Sequence, residues 1–145
     1  MSAMSDYLEN KLVDLTLRGQ AFTAPVTLYF GLHTSATTDA GGGTEVTGGS
    51  YARVAVTASL ANFAGTQAAA STAASSGTGG ATSNNGVITF PAPSASWGTV
   101  THWSVWDAST AGNLLYHGAL TTSKTINNGD AAPSFAAAAL VLTFA

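Results

Sequence analysis

Cysteine is absent from this 145-residue chain, and charge is nearly so: Asp, Glu, Lys and Arg together make up 8% of the residues. The first absence excludes a disulfide framework and any zinc site built on thiolates, and leaves the redox compartment open. The second is sharper, because an average soluble domain carries about 25% charged residues. With only four bases, at Lys11, Arg18, Arg53 and Lys124, there is no basic stripe to neutralise phosphates, so nucleic acid is not an expected partner. Long apolar runs are missing too. No stretch approaches the roughly 18 residues of a spanning helix, and MSAMSDYLENKLVDLTLRG lacks the basic and apolar regions of a signal peptide. Neither membrane insertion nor secretion by such a signal is expected.

What remains for the surface is Ser, Thr, Gly, Asn and Ala. A free monomer keeps apart from its neighbours through interspersed charge. A chain with seven acids, four bases and a net charge of −3 therefore suits permanent packing against copies of itself, as a dimer or trimer, or against a larger assembly. The length allows one domain over residues 1–145, burying about 70% of the surface its unfolded form exposes, so no metal or cofactor is required for folding.

The heaviest apolar block runs from Trp97 to Leu120 and holds all three tryptophans. Two aromatic-rich runs flank a turn-forming cluster, Asp107 to Asn113, which reads as a β-hairpin. Alternation along the first arm sends Val100, His102, Ser104 and Trp106 to one face and Trp103 and Val105 to the other. The return arm sets Leu115, His117 and Ala119 against Leu114, Tyr116, Gly118 and Leu120. Both faces carry rings, so the hairpin is expected at the centre of a sheet covered on both sides.

Around it, residues 6–18 form the one convincing helix. Leu8, Leu12 and Leu15 share a face, Asp6 with Glu9 resembles a capping box, Asp14 can pair with Arg18, and Gly19 supplies the stop. At about 13 residues such a helix is marginal alone, so its leucines must dock on the sheet or on a neighbouring subunit. Residues 26–33 read as a strand with Val26, Leu28, Phe30 and Leu32 on the core face, and 51–57 as the next, with a short continuation through Leu60 and Phe63. Between them lies a Gly-rich loop, 34–50, of a length uncommon unless the loop binds something. Residues 65–86 are low-complexity Ala, Ser, Thr and Gly, expected as a mobile excursion or an arm ordered against a neighbour. Short strands follow at 87–90, 124–127 and 136–144, with a turn at Asn128-Gly129. Seven to eight short strands and one helix indicate an all-β fold: an antiparallel β-sandwich, jelly-roll-like, with a short N-terminal α-helix.

Catalytic chemistry finds little to work with. His33, His102 and His117 are the candidates for a metal triad or a general base, with His102 and His117 as cross-strand neighbours. No HxH or HxxxH spacing completes a site, and a histidine on a half-buried strand is more often a hydrogen-bonded packing residue. Asp107 and Asp130 stand beside turns, where a carboxylate commonly bonds the backbone. Asp39 lacks the alternating acids of a calcium loop. There is no G-x-S-x-G elbow and no phosphate-binding glycine loop. Trp97 and Tyr51 are candidates for stacking on a sugar, but no acids or amides cluster beside them in the sequence. No catalytic, cofactor-binding or metal residue is assigned.

SDYLENKLVD at 5–14, the run from Arg18 to Val56, ITFPAP at 88–93, WGTVTHWSVWDA at 97–108 and GNLLYHGALTTSKTINNGD at 112–130 cover most of the chain. In these segments the chain resembles a family of small virion proteins of tailed bacteriophages commonly labelled tail fibre proteins. The resemblance implies a non-enzymatic structural role in a virion assembled in the host cytoplasm. A fibre shaft needs repeats or a heptad seam, and the chain has neither. The leading expectation is therefore a capsid decoration or cement protein gripping the major capsid protein. A tail fibre or receptor-binding module that recognises the host surface through the 34–50 loop is the alternative.

Overall fold

The computed structural model describes residues 2–66 and 69–144. Its centre is the expected hairpin, formed by β6 (Gly98–Trp106) and β7 (Leu114–Ile126). β1 (Ser2–Met4) pairs with the outer edge of β7, β2 (Thr27–His33) with the other side of β6, and β3 (Val54–Thr57) with β2. The result is a five-stranded antiparallel sheet of order β1-β7-β6-β2-β3. Two short antiparallel ribbons face it. One joins β4 (Ala81–Ser83) to β9 (Val141–Thr143), the other β5 (Ile88–Thr89) to β8 (Ser134–Phe135). The antiparallel all-β fold with one helix is as the sequence indicates, with five, two and two strands in its sheets among the described residues.

The core lies between these layers. Phe30 pairs with Val105 and Leu32 with Trp103 across β2 and β6. These four pack with Ile88, Phe90, Leu140 and Leu142 from the ribbon side. A bulge between Val100 and His102 breaks the alternation expected for β6, so Val100 turns into the core at 1% exposure. Tyr51 meets the ring of Trp97 edge-on at 5.3 Å, and the Trp97 indole N–H donates to the Gly49 carbonyl at 2.9 Å. Asn84 holds the ribbon layer together. Its side chain donates to the carbonyls of Gly86 and Ala136, both at 2.7 Å, and accepts from the Leu140 N–H at 2.9 Å.

Helix α1 (Asp6–Leu17) starts one residue earlier than the expected cap. Ser5, in extended conformation, is the N-cap and accepts from the Leu8 N–H, while Asp6 and Glu9 sit in the first turn, where acids complement the helix dipole. Arg18 pairs with Asp14 at 3.0 Å as expected. The leucine face does not dock along its length. Leu8 is buried, but Leu15 is 44% exposed, because only the first turns of the helix lie against β7.

Other boundaries move for local reasons. Val26 lies before β2 and is exposed rather than core. Tyr51 and Arg53 precede β3, leaving Val54 and Val56 as its core-facing residues. Phe63 makes only an isolated bridge with Asn84 and no further strand. Residues 124–126 are the end of the 13-residue β7, not a separate edge strand. The expected strand 136–144 shortens to β9, since a turn bonds Ala139 N–H to the Ala136 carbonyl. Within 65–86, residues 81–83 pair inside the chain as β4, residues 67 and 68 lie outside the described residues, and most of 69–80 is exposed.

Gly31 is the tightest point of the large sheet. A Cβ there would lie 2.8 Å from Ser104 Oγ and 2.9 Å from Glu45 Oε1, two atoms held in place by hydrogen bonds of their own. Gly31→Ala is expected to lower unfolding free energy by about 1–3 kcal/mol, the usual range for overpacking, measured by urea denaturation. An unchanged midpoint would show that the polar layer above Gly31 yields freely.

Candidate functional site

The face of the large sheet turned away from the core is polar. Alternation and register put Gly31 and His33 of β2, His102 and Ser104 of β6 and His117 of β7 on it. His33 stands directly opposite His102, and His117 opposite Ser104. The expected His102–His117 pairing is therefore replaced by His102–Ala119. His33 Nε2 shares a hydrogen bond with Ser104 Oγ at 2.7 Å, and the Trp106 indole N–H donates to the same oxygen at 2.7 Å. His33 Nδ1 is buried without a partner among the described residues. No group of three or more His, Asp or Glu side chains suited to a metal occurs among the described residues.

The 34–50 loop closes over this face instead of standing free. Thr34 N–H donates to Thr44 O and Val46 N–H to Leu32 O, both at 2.9 Å, which sets Glu45 against His33 in an antiparallel bridge. Arg53 then grips Glu45 with two bonds, Nε to Oε1 at 2.8 Å and a terminal nitrogen to Oε2 at 2.7 Å. Its other terminal nitrogen donates to the carbonyls of Ala108 (2.9 Å) and Ala111 (2.8 Å) in the hairpin turn. The guanidinium lies 4.0 Å from the centroid of the Trp106 ring. The Tyr51 hydroxyl donates to Glu45 Oε1 at 2.9 Å and accepts from the Leu32 N–H at 2.8 Å.

Burial pushes the Glu45 carboxyl up, but hydrogen bonds from Arg53 and Tyr51 outweigh it and hold the group below its usual range. Burial pushes the Tyr51 phenol up. For His33, burial is again the main cause, and it lowers the imidazole from 6.5 to about 4, against the partial opposition of Glu45.

A second fastening lies beyond the clamp. His117 Nδ1 shares a hydrogen bond with Thr37 Oγ1 at 2.9 Å, and Nε2 donates to Asp39 Oδ1 at 3.0 Å. The Asp39 carbonyl accepts the Asp6 N–H at 2.9 Å, and Ser5 bonds the Leu114 and Leu115 carbonyls. The loop, the start of α1 and the hairpin turn are thereby gathered at one end of the molecule. Asp107 closes that turn by accepting Asn113 N–H at 2.7 Å, and Asp130 likewise accepts Asn127 N–H, as expected of carboxylates beside turns.

For Trp97 and Tyr51 core packing, the reading the sequence favours over sugar stacking, is what the structure shows: Trp97 is 5% exposed and Tyr51 is half-buried between Trp97 and Phe90. The ring at the loop end is Trp106. Glu45 and Arg53 passed unnoticed; the signal that pointed to them is that a chain so poor in charge places an acid and a base eight residues apart around a glycine-rich turn.

A layered antiparallel domain whose polar side chains fasten its own loops has the character of a structural protein. The chain belongs to a family of phage fibre proteins: the family model of the podophage GP4 fiber I protein gp80 matches residues 3–143. Membership makes it a component of a phage virion. No curated protein matches it.

The lowered value of His33 makes stability pH-dependent. Below about pH 6.5 the unfolded chain takes a proton that folded His33 refuses until about pH 4, so this contribution is complete above 6.5 and is lost as pH falls through 4. The whole effect amounts to at most about 3 kcal/mol. The urea midpoint is expected to fall between pH 7 and pH 4.5, and to fall less in His33→Gln. Equal slopes in the two proteins would remove His33 as the cause.

Proposed function

We propose that the protein is a fibre component of a podophage virion and works there as a homo-oligomer. The observation that carries the fibre reading is the family match over residues 3–143. It favours a fibre over the shell-cementing role that a neutral surface alone suggested. The role is mechanical and adhesive: a small domain with a sheet clamped on both faces presents loops at one end.

Self-association is supported by α1. Beyond its docked first turns the helix leaves Val13, Leu15 and Leu17 exposed, Leu17 at 80%, and Val26 after it is 74% exposed. The same helix and its cap hold three of the chain's seven acids, Asp6, Glu9 and Asp14, and two of its four bases, Lys11 and Arg18. Apolar side chains bordered by charges of both signs suit a second copy of the same helix, which offers the same groups in return.

Two measurements test this reading. Labelled antibody against the protein is expected to mark fibres at the tail in electron micrographs of purified virions; a lattice of label over the head would establish the cement role instead. In solution, light scattering is expected to give a dimer or trimer that Leu17→Glu converts to monomer with unchanged circular dichroism. A wild-type monomer at high concentration would sink the self-association.

A further inference from the structure

Resting on the fibre reading, we propose that the groove at the loop end binds a neutral glycan. The groove holds about 500 Å³, within the span of roughly 300–1,000 Å³ usual for small-ligand sites. Its lining brings together what the sequence kept apart: the rings of Tyr7 and Trp106, the carboxylates of Asp6 and Asp39, and the amide of Asn113. Those five side chains come from α1, the 34–50 loop, β6 and the hairpin turn.

Each group has capacity left for a ligand. Asp39 gives Oδ1 to His117, which leaves Oδ2 as an acceptor. Asn113 donates one amide hydrogen to Asp107 Oδ2, leaving the other hydrogen and the carbonyl oxygen. Trp106 has its indole N–H committed to Ser104 and Arg53 against its ring, so it offers the groove a fixed apolar surface and no donor. A sugar matches that set. Its C–H face lies on an aromatic ring, and its adjacent hydroxyls donate to a carboxylate while accepting from an amide. Gly41 and Gly42, at φ of +89° and +94°, also line the groove, and without side chains they leave their backbone open to a ligand.

The charge of the lining selects within the class. The lining itself carries two carboxylates and no Lys, Arg or His. Arg53, against Trp106, is committed to Glu45, and Lys11, 5.6 Å from the centroid of the Tyr7 ring, is a single base beside two acids. Sialylated, sulfated and phosphorylated sugars therefore meet net repulsion. Uncharged hexoses and deoxyhexoses remain. A single site of this kind is weak, and repeated copies in a fibre multiply it through effective concentration.

The purified full-length protein would be applied to an array carrying neutral, sialylated and sulfated glycans, with hits confirmed by saturation-transfer NMR using the free neutral sugar. Binding confined to neutral glycans is expected. Tyr7→Ala and Asp6→Asn, at a half-buried and an exposed position of α1's first turn, are each expected to weaken it at least tenfold, with no more than a small loss in melting temperature and unchanged circular dichroism. Leu60→Ala, at a distant exposed position, is expected to bind as wild type. No binding to any neutral glycan, binding of anionic glycans only, or full binding by both groove variants would overturn the proposal. Label on the tail with no glycan binding would remove the sugar site and leave the fibre reading standing. Glycan binding with label over the head would do the reverse.

Discussion

The ion pair between Glu45 and Arg53 decides how the polar side of this molecule is arranged. As a source of stability such a pair is weak, since desolvating two charges offsets much of their attraction, whereas losing one partner costs about 3–5 kcal/mol. Its consequence here is positional. Arg53 has a side chain only 7% exposed, and it uses all three nitrogens: two on the carboxylate and one on a pair of turn carbonyls. A lysine in its place would have one nitrogen for the same four bonds. Three segments distant in the sequence, the 34–50 loop, the approach to β3 and the hairpin turn, are fixed relative to one another by that single guanidinium. Gly31 is part of the same arrangement, because the sheet must leave room for the Glu45 carboxylate and the Ser104 hydroxyl above it.

How much of this was legible depended on the range of the signal. The hairpin was readable because two apolar arms and a turn sit side by side in the chain, and α1 because the 3.6-residue period and its Asp14–Arg18 pair are local. The irregularity after Val100 was not, since four residues of β7 (120–123) opposite the single Thr101 leave no trace in composition and yet change which side chains face the core. How much of the helix docks on the sheet was not legible for a similar reason: periodicity identifies an apolar stripe but says nothing of how far the sheet extends beneath it. The candidate groove was invisible because Tyr7, Asp39, Trp106 and Asn113 lie more than a hundred residues apart at their extremes and meet through the β1–β7 and β6–β7 pairings and the bonds of Asp39 to His117 and Asp6.

Sparse charge was the strongest compositional signal, and it led to the shell-cementing expectation. A neutral surface is one that crowding would suit, and it carries no information on what would crowd it. Copies along a fibre and copies over a shell place the same demand on the surface. The family match is what favours the fibre. The distribution of charge is more informative than its total, since three acids and two bases are concentrated on and beside α1, the one element whose apolar side chains the fold leaves uncovered.

The clamp and the groove meet in Trp106. Its ring lies under Arg53 and its N–H is fixed on Ser104, so the ring is immobilised by the bonds that hold the loop down. Asp39, at the groove's other wall, is fixed by His117 in the same way. Binding a small ligand costs about 0.5–1.5 kcal/mol for each long side chain that must be ordered, and here the folded sheet has already ordered two of the contacts. A surface with few charges cannot draw a ligand in by long-range attraction. Rigid placement of a few short-range contacts is the remaining route for the proposed recognition, and the buried polar layer of this sheet fixes Trp106 and Asp39 in that way.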